Sequence, residues 1–439
     1  MVQRLKTPES ERAALVGLVS NTARRHDGEH SLAELGGLAE AAGAKVVLRM
    51  VQERPRPDPA TFIGSGKVES LAAACAEADV DVVIVDNELT PAQLRQLEAR
   101  LSCKVIDRTQ LILDIFAKRA RTREGKWQVE LAQLEYLLPR LVGHGAELSR
   151  LGGGIGTRGP GETKLETDRR RIRDRIKAIQ RDIDQLRQRR GQMRERRTKR
   201  SVPTVALVGY TNAGKTTLFN RLTKEKALAS DALFVTLDPL IRQVRLPDGG
   251  VLLLTDTVGF IDRLPHALVA AFRATLEEVS GADIAVHVID AASETRERSI
   301  AAVRRVLSEV GAEDVPLLDV FNKVDLLNAD ERRRLQEANP AALLISAASG
   351  KGAPELLDAV AARVGLDARR VTVTFGPRRG PTREADQEVD REAIARLYRV
   401  AKVVSQVTTR NRIVIEADLP RRLLDRLPEL VGKAVTCVT

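Results

Sequence analysis

Short apolar runs and stretches of helical spacing alternate at the start of the chain. Ala14–Val19, Val46–Val51 and Val82–Val85 are almost wholly apolar, whereas Leu71–Ala78 and Pro91–Leu101 carry apolar residues three and four apart. Buried strands read as continuous apolar runs and amphipathic helices as a 3.6-residue period, so residues 1–107 are expected to form a small α/β domain. The period then changes. Trp127, Leu131, Leu134, Leu138 and Leu141 recur at alternating steps of four and three, and Ile172, Ile176, Ile179, Ile183 and Leu186 do the same. Two such seams predict an antiparallel helical hairpin over 108–200, with Pro139 kinking its first helix and a glycine-rich tip at 150–161. Residues 201–366 return to strand–helix alternation, with Val205–Val208, Val251–Leu254, Ile284–Ile289, Pro316–Phe321 and Ala342–Ile345 as the buried strands of a doubly wound sheet. In the tail, 367–439, Val371–Phe375, Ile413–Ile415 and Ala434–Val438 read as strands and Glu388–Leu397 and Pro420–Leu430 as helices. The expected fold class is α/β throughout: an N-terminal α/β domain with a projecting hairpin, a doubly wound central domain and a small α+β C-terminal domain.

Charge changes this picture in one place. The 439 residues carry 71 Lys and Arg against 60 Asp and Glu, a net charge of +11. Residues 162–200 hold 16 of the basic and 7 of the acidic residues, which leaves the other 400 residues at only +2. A helix with one apolar seam and basic remaining faces suits RNA, with Arg158, Lys164, Arg169, Arg170, Arg171 and Arg173 as the contacts; on the residues alone, a merely solvated helix face fits as well. The tip likewise has two readings, a backbone-rich loop that approaches a ligand closely or a hinge. Its Gly154, Gly156 and Gly159 match GxGxxG formally, but a helix precedes them instead of the strand that a dinucleotide fingerprint needs. Ile63-Gly64-Ser65-Gly66-Lys67 fails as a phosphate loop because the spacing would require glycine at Thr61. His26 and His30 are expected on a surface loop. Cys75, Cys103 and Cys437 form no CxxC pair, which excludes a disulfide framework and a thiolate metal site. With no apolar run near the ~20 residues of a bilayer span and no secretory leader, a soluble cytoplasmic protein is expected.

The central domain carries the chemistry. Gly209-Tyr210-Thr211-Asn212-Ala213-Gly214-Lys215-Thr216 follows a strand and opens a helix that starts near Thr217. That spacing makes a P-loop: backbone N–H groups wrap the phosphates, Lys215 neutralises the β and γ oxygens, and the Thr216 hydroxyl reaches Mg²⁺. Asp256-Thr257-Val258-Gly259 gives DxxG, with Asp256 behind the Mg²⁺ and the Gly259 N–H sensing the γ-phosphate. Asn322-Lys323-Val324-Asp325 gives NKxD; the Asp325 carboxylate can accept from both N1–H and the exocyclic amine of guanine, which adenine does not offer. Ser346, Ala347 and Ala348 would bring backbone N–H groups to guanine O6. Within Phe234-Val235-Thr236, Thr236 is the candidate threonine that joins Mg²⁺ when the γ-phosphate is present, which makes Thr216, Thr236 and Asp256 the expected metal group. Phe260 follows Gly259 where Ras-like enzymes place a water-orienting glutamine, so slow hydrolysis alone and acceleration by a partner are expected. Asn212 is either a brace for its loop or a residue that helps hold K⁺ beside the phosphates.

These motifs, together with GGGIGTRGPGETKLETDRRRIRDRI, GYTNAGKTTLFN, LFVTLDP, DTVGFI and NKVD, resemble the HflX family of ribosome-associated GTPases over residues ~10 to ~365. The long glycine–arginine tract distinguishes that family from the related Obg, Era and TrmE groups. The resemblance implies a monomer that binds GTP and the large ribosomal subunit, splits stalled or idle ribosomes under heat or antibiotic stress, and reaches with its hairpin towards rRNA near the peptidyl-transferase centre. It also implies that the ribosome supplies the activation Phe260 cannot. Asn212, Lys215, Thr236 and Gly259 would be the residues closest to the chemistry. A large-subunit assembly checkpoint and a nucleotide-gated RNA-binding module are the alternatives.

Overall fold

The computed structural model describes residues 10–19, 25–141, 160–199, 202–224, 233–234, 236–246, 250–262, 278–375, 383–409, 412–424, 427 and 435–438. Arg158, Val235 and residues 150–159 of the glycine-rich tip lie outside the described residues, as does the side chain of Lys164, whereas Pro160 and Gly161 are helical.

The first sheet has the order β2-β1-β3-β4, from β1 (Arg12–Val19), β2 (Lys45–Glu53), β3 (Val82–Val85) and β4 (Lys104–Asp107). Every pairing in it is parallel. A parallel sheet must be covered on both faces. One face takes α2 (Ser65–Glu77) and α3 (Pro91–Leu101), through Val68, Leu71, Cys75 and Leu97. The other takes α1 (Arg25–Ala42) and α4 (Arg108–Arg119), through Leu32, Leu35, Leu38, Ile112, Ile115 and Phe116. Residues 108–119, grouped by periodicity with the hairpin, thus pack on the N-terminal core: the apolar stripe of α4 is a core-facing stripe and not the continuation of the a/d seam. His26 and His30 fall within α1 and not on a loop.

The hairpin is α5 (Arg123–Leu137) against α6 (Pro160–Lys199). Pro139 ends α5 instead of kinking it, because its ring and missing N–H cannot continue the ladder so close to the helix end. Leu131, Ile179 and Ile183 are buried at the seam with Trp127, Leu134 and Ile176 packed on them, and the Arg175 guanidinium grips Glu130 with two bonds of 2.7 and 2.8 Å. At 1.5 Å per residue α6 is about 60 Å long, and Ile176, Ile179 and Ile183 are where its described side chains pack against α5. Ile179→Ala should therefore cost the hairpin about 2–5 kcal/mol, read as faster amide exchange in α5 and α6 with the central sheet unaffected.

The central sheet has the order β10-β9-β8-β5-β7-β6. Its strands are β5 (Thr204–Gly209), β6 (Leu240–Arg245), β7 (Val251–Asp256), β8 (Ile284–Asp290), β9 (Leu317–Asn322) and the short β10 (Leu343–Leu344). All pairs are parallel except β6 on β7. β6 has no apolar run, since three of its six residues are exposed at the sheet edge, and the sequence pattern misses it. Helices α7 (Lys215–Thr223), α8 (Arg296–Glu309), α9 (Ala329–Ala338) and α10 (Ala353–Arg363) are among those of the domain. Four more strands, β11 (Ala368–Phe375), β12 (Lys402–Thr409), β13 (Arg412–Pro420) and β14 (Val435–Val438), form an antiparallel C-terminal sheet in the order β12-β13-β11-β14, which packs on α11 (Arg383–Val400) through Leu397, Val373 and Ile415. Of the expected helix over Pro420–Leu430, Pro420 ends β13, Arg421–Leu423 forms a 3₁₀ turn and Leu427 is helical, while 425–426 and 428–430 lie outside the described residues.

Candidate guanine-nucleotide site

Every element of the site sits at the carboxyl edge of the central sheet, the place where open α/β sheets bind ligands. β5 delivers the P-loop, β7 ends at Asp256, β9 ends at Asn322, and the turn after β10 carries Ser346. Between them lies a cavity of about 510 Å³, lined by Thr211, Asn212, Gly214, Lys215, Thr216, Thr217, Phe234, Thr236, Thr257, Gly259, Asn322, Lys323, Asp325, Leu326, Ala347 and Ala348. A cavity of about 660 Å³ lies on the outer side of the P-loop against α1, but it lacks Lys215, Thr216 and the NKxD residues and is not the nucleotide cleft.

Protein groups tie the phosphate end together. Lys215 is buried and its Nζ donates to the Tyr210 carbonyl (2.9 Å) and the Gly209 carbonyl (3.1 Å). Burial lowers its pKa to about 8 against the opposing pull of Asp256. Burial also raises the Asp256 carboxyl, although Lys215, Thr216 and Thr236 favour its charge. A phosphate and a divalent cation would reverse both shifts. The Thr216 and Thr236 hydroxyls are 2.7 Å apart, and each donates to Asp256 Oδ2, at 2.8 and 3.0 Å. Asp256 Oδ1 is buried without a protein partner among the described residues. Two hydroxyls backed by a carboxylate form a hard-oxygen set that fits Mg²⁺, which completes its shell with phosphate oxygens and water. Thr216 and Thr236 would hold the ion with Asp256 behind them; when bound, it neutralises charge on the β and γ oxygens.

Gly214 is fixed by its neighbour: its φ is +91°, and a Cβ there would lie 2.2 Å from Asn322 Nδ2. Asn322 does not face the base. Its Nδ2 donates to the Ala213 carbonyl and its Oδ1 accepts from Ala347 N–H, both at 2.8 Å, so it joins the P-loop to the loop after β10. Asp325 is exposed at the cavity mouth, beside Leu326, which is 66% exposed and offers an apolar wall for the base. The Ser346 and Ala347 N–H groups, expected on guanine O6, are spent on the Lys351 carbonyl and on Asn322. The third residue of that run, Ala348, remains at the cavity mouth, and Arg221 braces the loop by donating to the Ala347 carbonyl at 3.2 Å.

Other expected contacts lie off the cavity. Gly209, Tyr210, Ala213, Val258 and Ser346 do not line it, and Asp256 stands behind the hydroxyls. Phe234 offers the cleft its backbone, and its N–H donates to Thr211 Oγ1 at 3.1 Å. The Phe234 ring instead packs edge-on against Phe116 of α4, 4.7 Å between centroids. Phe260 is 1% exposed in that same core, and its backbone accepts from Thr211 N–H at 2.7 Å. Tyr210 turns outward: its hydroxyl donates to Glu34 of α1 and accepts from Asp262 N–H at 2.8 Å. Periodicity does not reveal Leu326, Asp290 (2.7 Å from Lys323 Nζ), Glu34 or Asp262; the only signal for Leu326 is an apolar residue directly after NKxD.

A P-loop, a magnesium-type oxygen cluster and an NKxD turn gathered at one sheet edge define a P-loop GTPase that binds guanine nucleotide. The chain matches the families "GTP-binding GTPase N-terminal" over 29–117, "GTP-binding GTPase Middle Region" over 119–197 and "50S ribosome-binding GTPase" over 204–323. It is 45% identical to the GTPase HflX of Caldanaerobacter subterraneus subsp. tengcongensis, over 96% of this chain and 94% of that one. It is 48% identical to the GTPase HflX of Escherichia coli, over 80% and 83% respectively. A GTP-binding protein of Sulfolobus solfataricus solved with GDP is 25% identical, covers 81% of this chain and 98% of its own, and superposes with a TM-score of 0.42. The chain belongs to the HflX family of GTPases. Among the described residues, no helix is long and apolar enough to cross a membrane.

Proposed function

We propose that this GTPase binds the large ribosomal subunit and, in its GTP state, separates stalled or idle ribosomes into subunits, with hydrolysis stimulated by the ribosome. The observation that carries the reading is a basic helical hairpin rooted beside the nucleotide switch. On α6, Arg170, Arg171 and Arg173 are exposed to a polyanion, while Arg169 is half-buried and contributes less. The "50S ribosome-binding GTPase" match over 204–323 supports the same partner. Phe260, sealed in the core, cannot order the attacking water, so turnover in isolation is slow and the subunit completes the catalytic arrangement around Lys215, Thr236 and Gly259. Asn212, at the cavity wall, is where a K⁺ ion would assist.

GTP turnover with and without large subunits, in potassium and in sodium, tests this. Stimulation of about a hundredfold or more is expected; equal turnover without subunits overturns the ribosome reading, and equal turnover in both salts removes potassium. In sucrose gradients, added protein with GTP should convert intact ribosomes to subunits, whereas an assembly checkpoint would leave them intact. Neutralising Arg170, Arg171 and Arg173 together should flatten the salt dependence of subunit binding by about three ions and leave GTP affinity unchanged.

A further inference from the structure

We propose that Asp238 is a positioning residue that carries the state of the Thr236 loop into the hairpin, by holding the exposed amides at the root of α5. Four N–H groups at the start of any helix lack intrahelical partners, and that end carries partial positive charge. At α5 the local cap, Thr122, satisfies one of them: its Oγ1 accepts from Gly125 N–H at 3.0 Å. Two more N–H groups at this root, that of the cap Thr122 and that of Arg121 just before it, are taken by a residue more than a hundred positions away. Asp238 Oδ2 accepts from the Thr122 and Arg121 N–H groups at 2.9 and 3.0 Å, and Oδ1 accepts from the Thr122 hydroxyl. Gly125 is what lets the carboxylate in: a Cβ there would stand 2.2 Å from Asp238 Oδ1.

Asp238 lies two residues after Thr236, whose hydroxyl sits on Thr216 and Asp256. On the other side of Thr236, the Phe234 ring is fixed on Phe116 of α4. The switch threonine is therefore suspended between anchors on the two helices that lead into the hairpin. If Thr236 leaves the magnesium position, Asp238 and the first turn of α5 cannot both stay where they are. Beyond that turn, α5 is locked to α6 by Glu130–Arg175 and by Leu131 against Ile179 and Ile183, so the displacement reaches the basic helix. This inference rests on the GTPase reading of the cleft but not on the ribosome being the partner.

Hydrogen exchange of the full-length protein, with GDP and with a non-hydrolysable GTP analogue plus Mg²⁺, tests it. In the unaltered protein, amides at the start of α5 should exchange at rates differing about tenfold between the two states. Gly125→Ala and Asp238→Asn should each erase that difference, while the P-loop amides still respond to nucleotide. Thr122→Ser, which keeps the hydroxyl, should preserve the difference and Thr122→Val should lose it. A cap with a purely structural role would instead raise α5 exchange equally in both states, and that result overturns the proposal. So does a nucleotide-dependent difference that survives both Gly125→Ala and Asp238→Asn, or none at α5 in the unaltered protein while the P-loop responds. No nucleotide response at the P-loop would mean the failure of the GTPase reading, and coupling without stimulation by large subunits the failure of the ribosome reading alone.

Discussion

Asp325→Asn is expected to weaken GTP binding about a thousandfold without lowering thermal stability, because the residue lines the cleft and its side chain has no bonded partner among the described residues. Asp325 is exposed and sits in a single 3₁₀ turn, Val324–Leu326, at the cleft mouth. A carboxylate there can accept two N–H bonds from one guanine edge, a bidentate and charge-assisted pair. Asparagine keeps one acceptor and sets an NH₂ against the exocyclic amine, so one bond is lost and two donors face each other without partners. At about 1.5–3 kcal/mol per charged hydrogen bond plus the unpaired donors, the loss comes to three decades. Xanthine carries a carbonyl where guanine carries that amine, so the variant should regain affinity for xanthosine triphosphate. Displacement of a fluorescent nucleotide by GTP and by xanthosine triphosphate measures both; unchanged GTP affinity would mean that the base is held by the Ala347–Ala348 loop and Leu326. Asn322, three residues earlier, would give the opposite pattern. It is buried and braces two loops, so its loss disturbs the protein before it touches the base.

That contrast also shows what was legible in the sequence and why the rest was not. The strands that carry the motifs are buried on both faces, so their apolar runs announce them, and the P-loop, DxxG and NKxD follow at fixed offsets from strand ends. The hairpin seam was equally legible because both helices bury a single stripe. β6 hid because an edge strand with three exposed residues has no apolar run. The larger loss concerns direction. Motif spacing placed Tyr210 and Phe234 beside the nucleotide and Phe260 where a water-orienting residue would stand, yet all three side chains point elsewhere, to Glu34, to Phe116 and into the core. Spacing along a chain fixes where a backbone goes; which partner from another domain claims the side chain is a long-range fact, set here by residues 34 and 116 on helices packed against a different sheet.

The second large effect is expected at Arg108, where those long-range choices converge. Its side chain is buried, with Nη1 on Asp86 at 2.9 Å and Nη2 shared between Glu34 and the Asp262 carbonyl, the latter at 3.3 Å. Burial works against its charge, but Glu34 and Asp86 hold it protonated. Burial and Glu34 also push the Tyr210 hydroxyl well above the usual phenol range, so it stays a donor to Glu34. The P-loop, the segment after Gly259 and the N-terminal domain thus meet on one cation. Arg108→Ala removes the cation and leaves two carboxylates in a desolvated interface, a cost of about 3–5 kcal/mol. Fluorescence of Trp127, the chain's one tryptophan, should show the loss as a lower urea midpoint. Because buried-pair costs come chiefly from the partner left behind, Arg108→Met combined with Glu34→Gln should recover part of it: the amide is neutral, and its carbonyl oxygen can still accept from the Tyr210 hydroxyl. Coupling between the two substitutions of about 1–3 kcal/mol is the expected result of the double-mutant cycle. Strict additivity would show that Arg108 stabilises its own helix alone and that the link from the N-terminal domain to the nucleotide loops runs elsewhere.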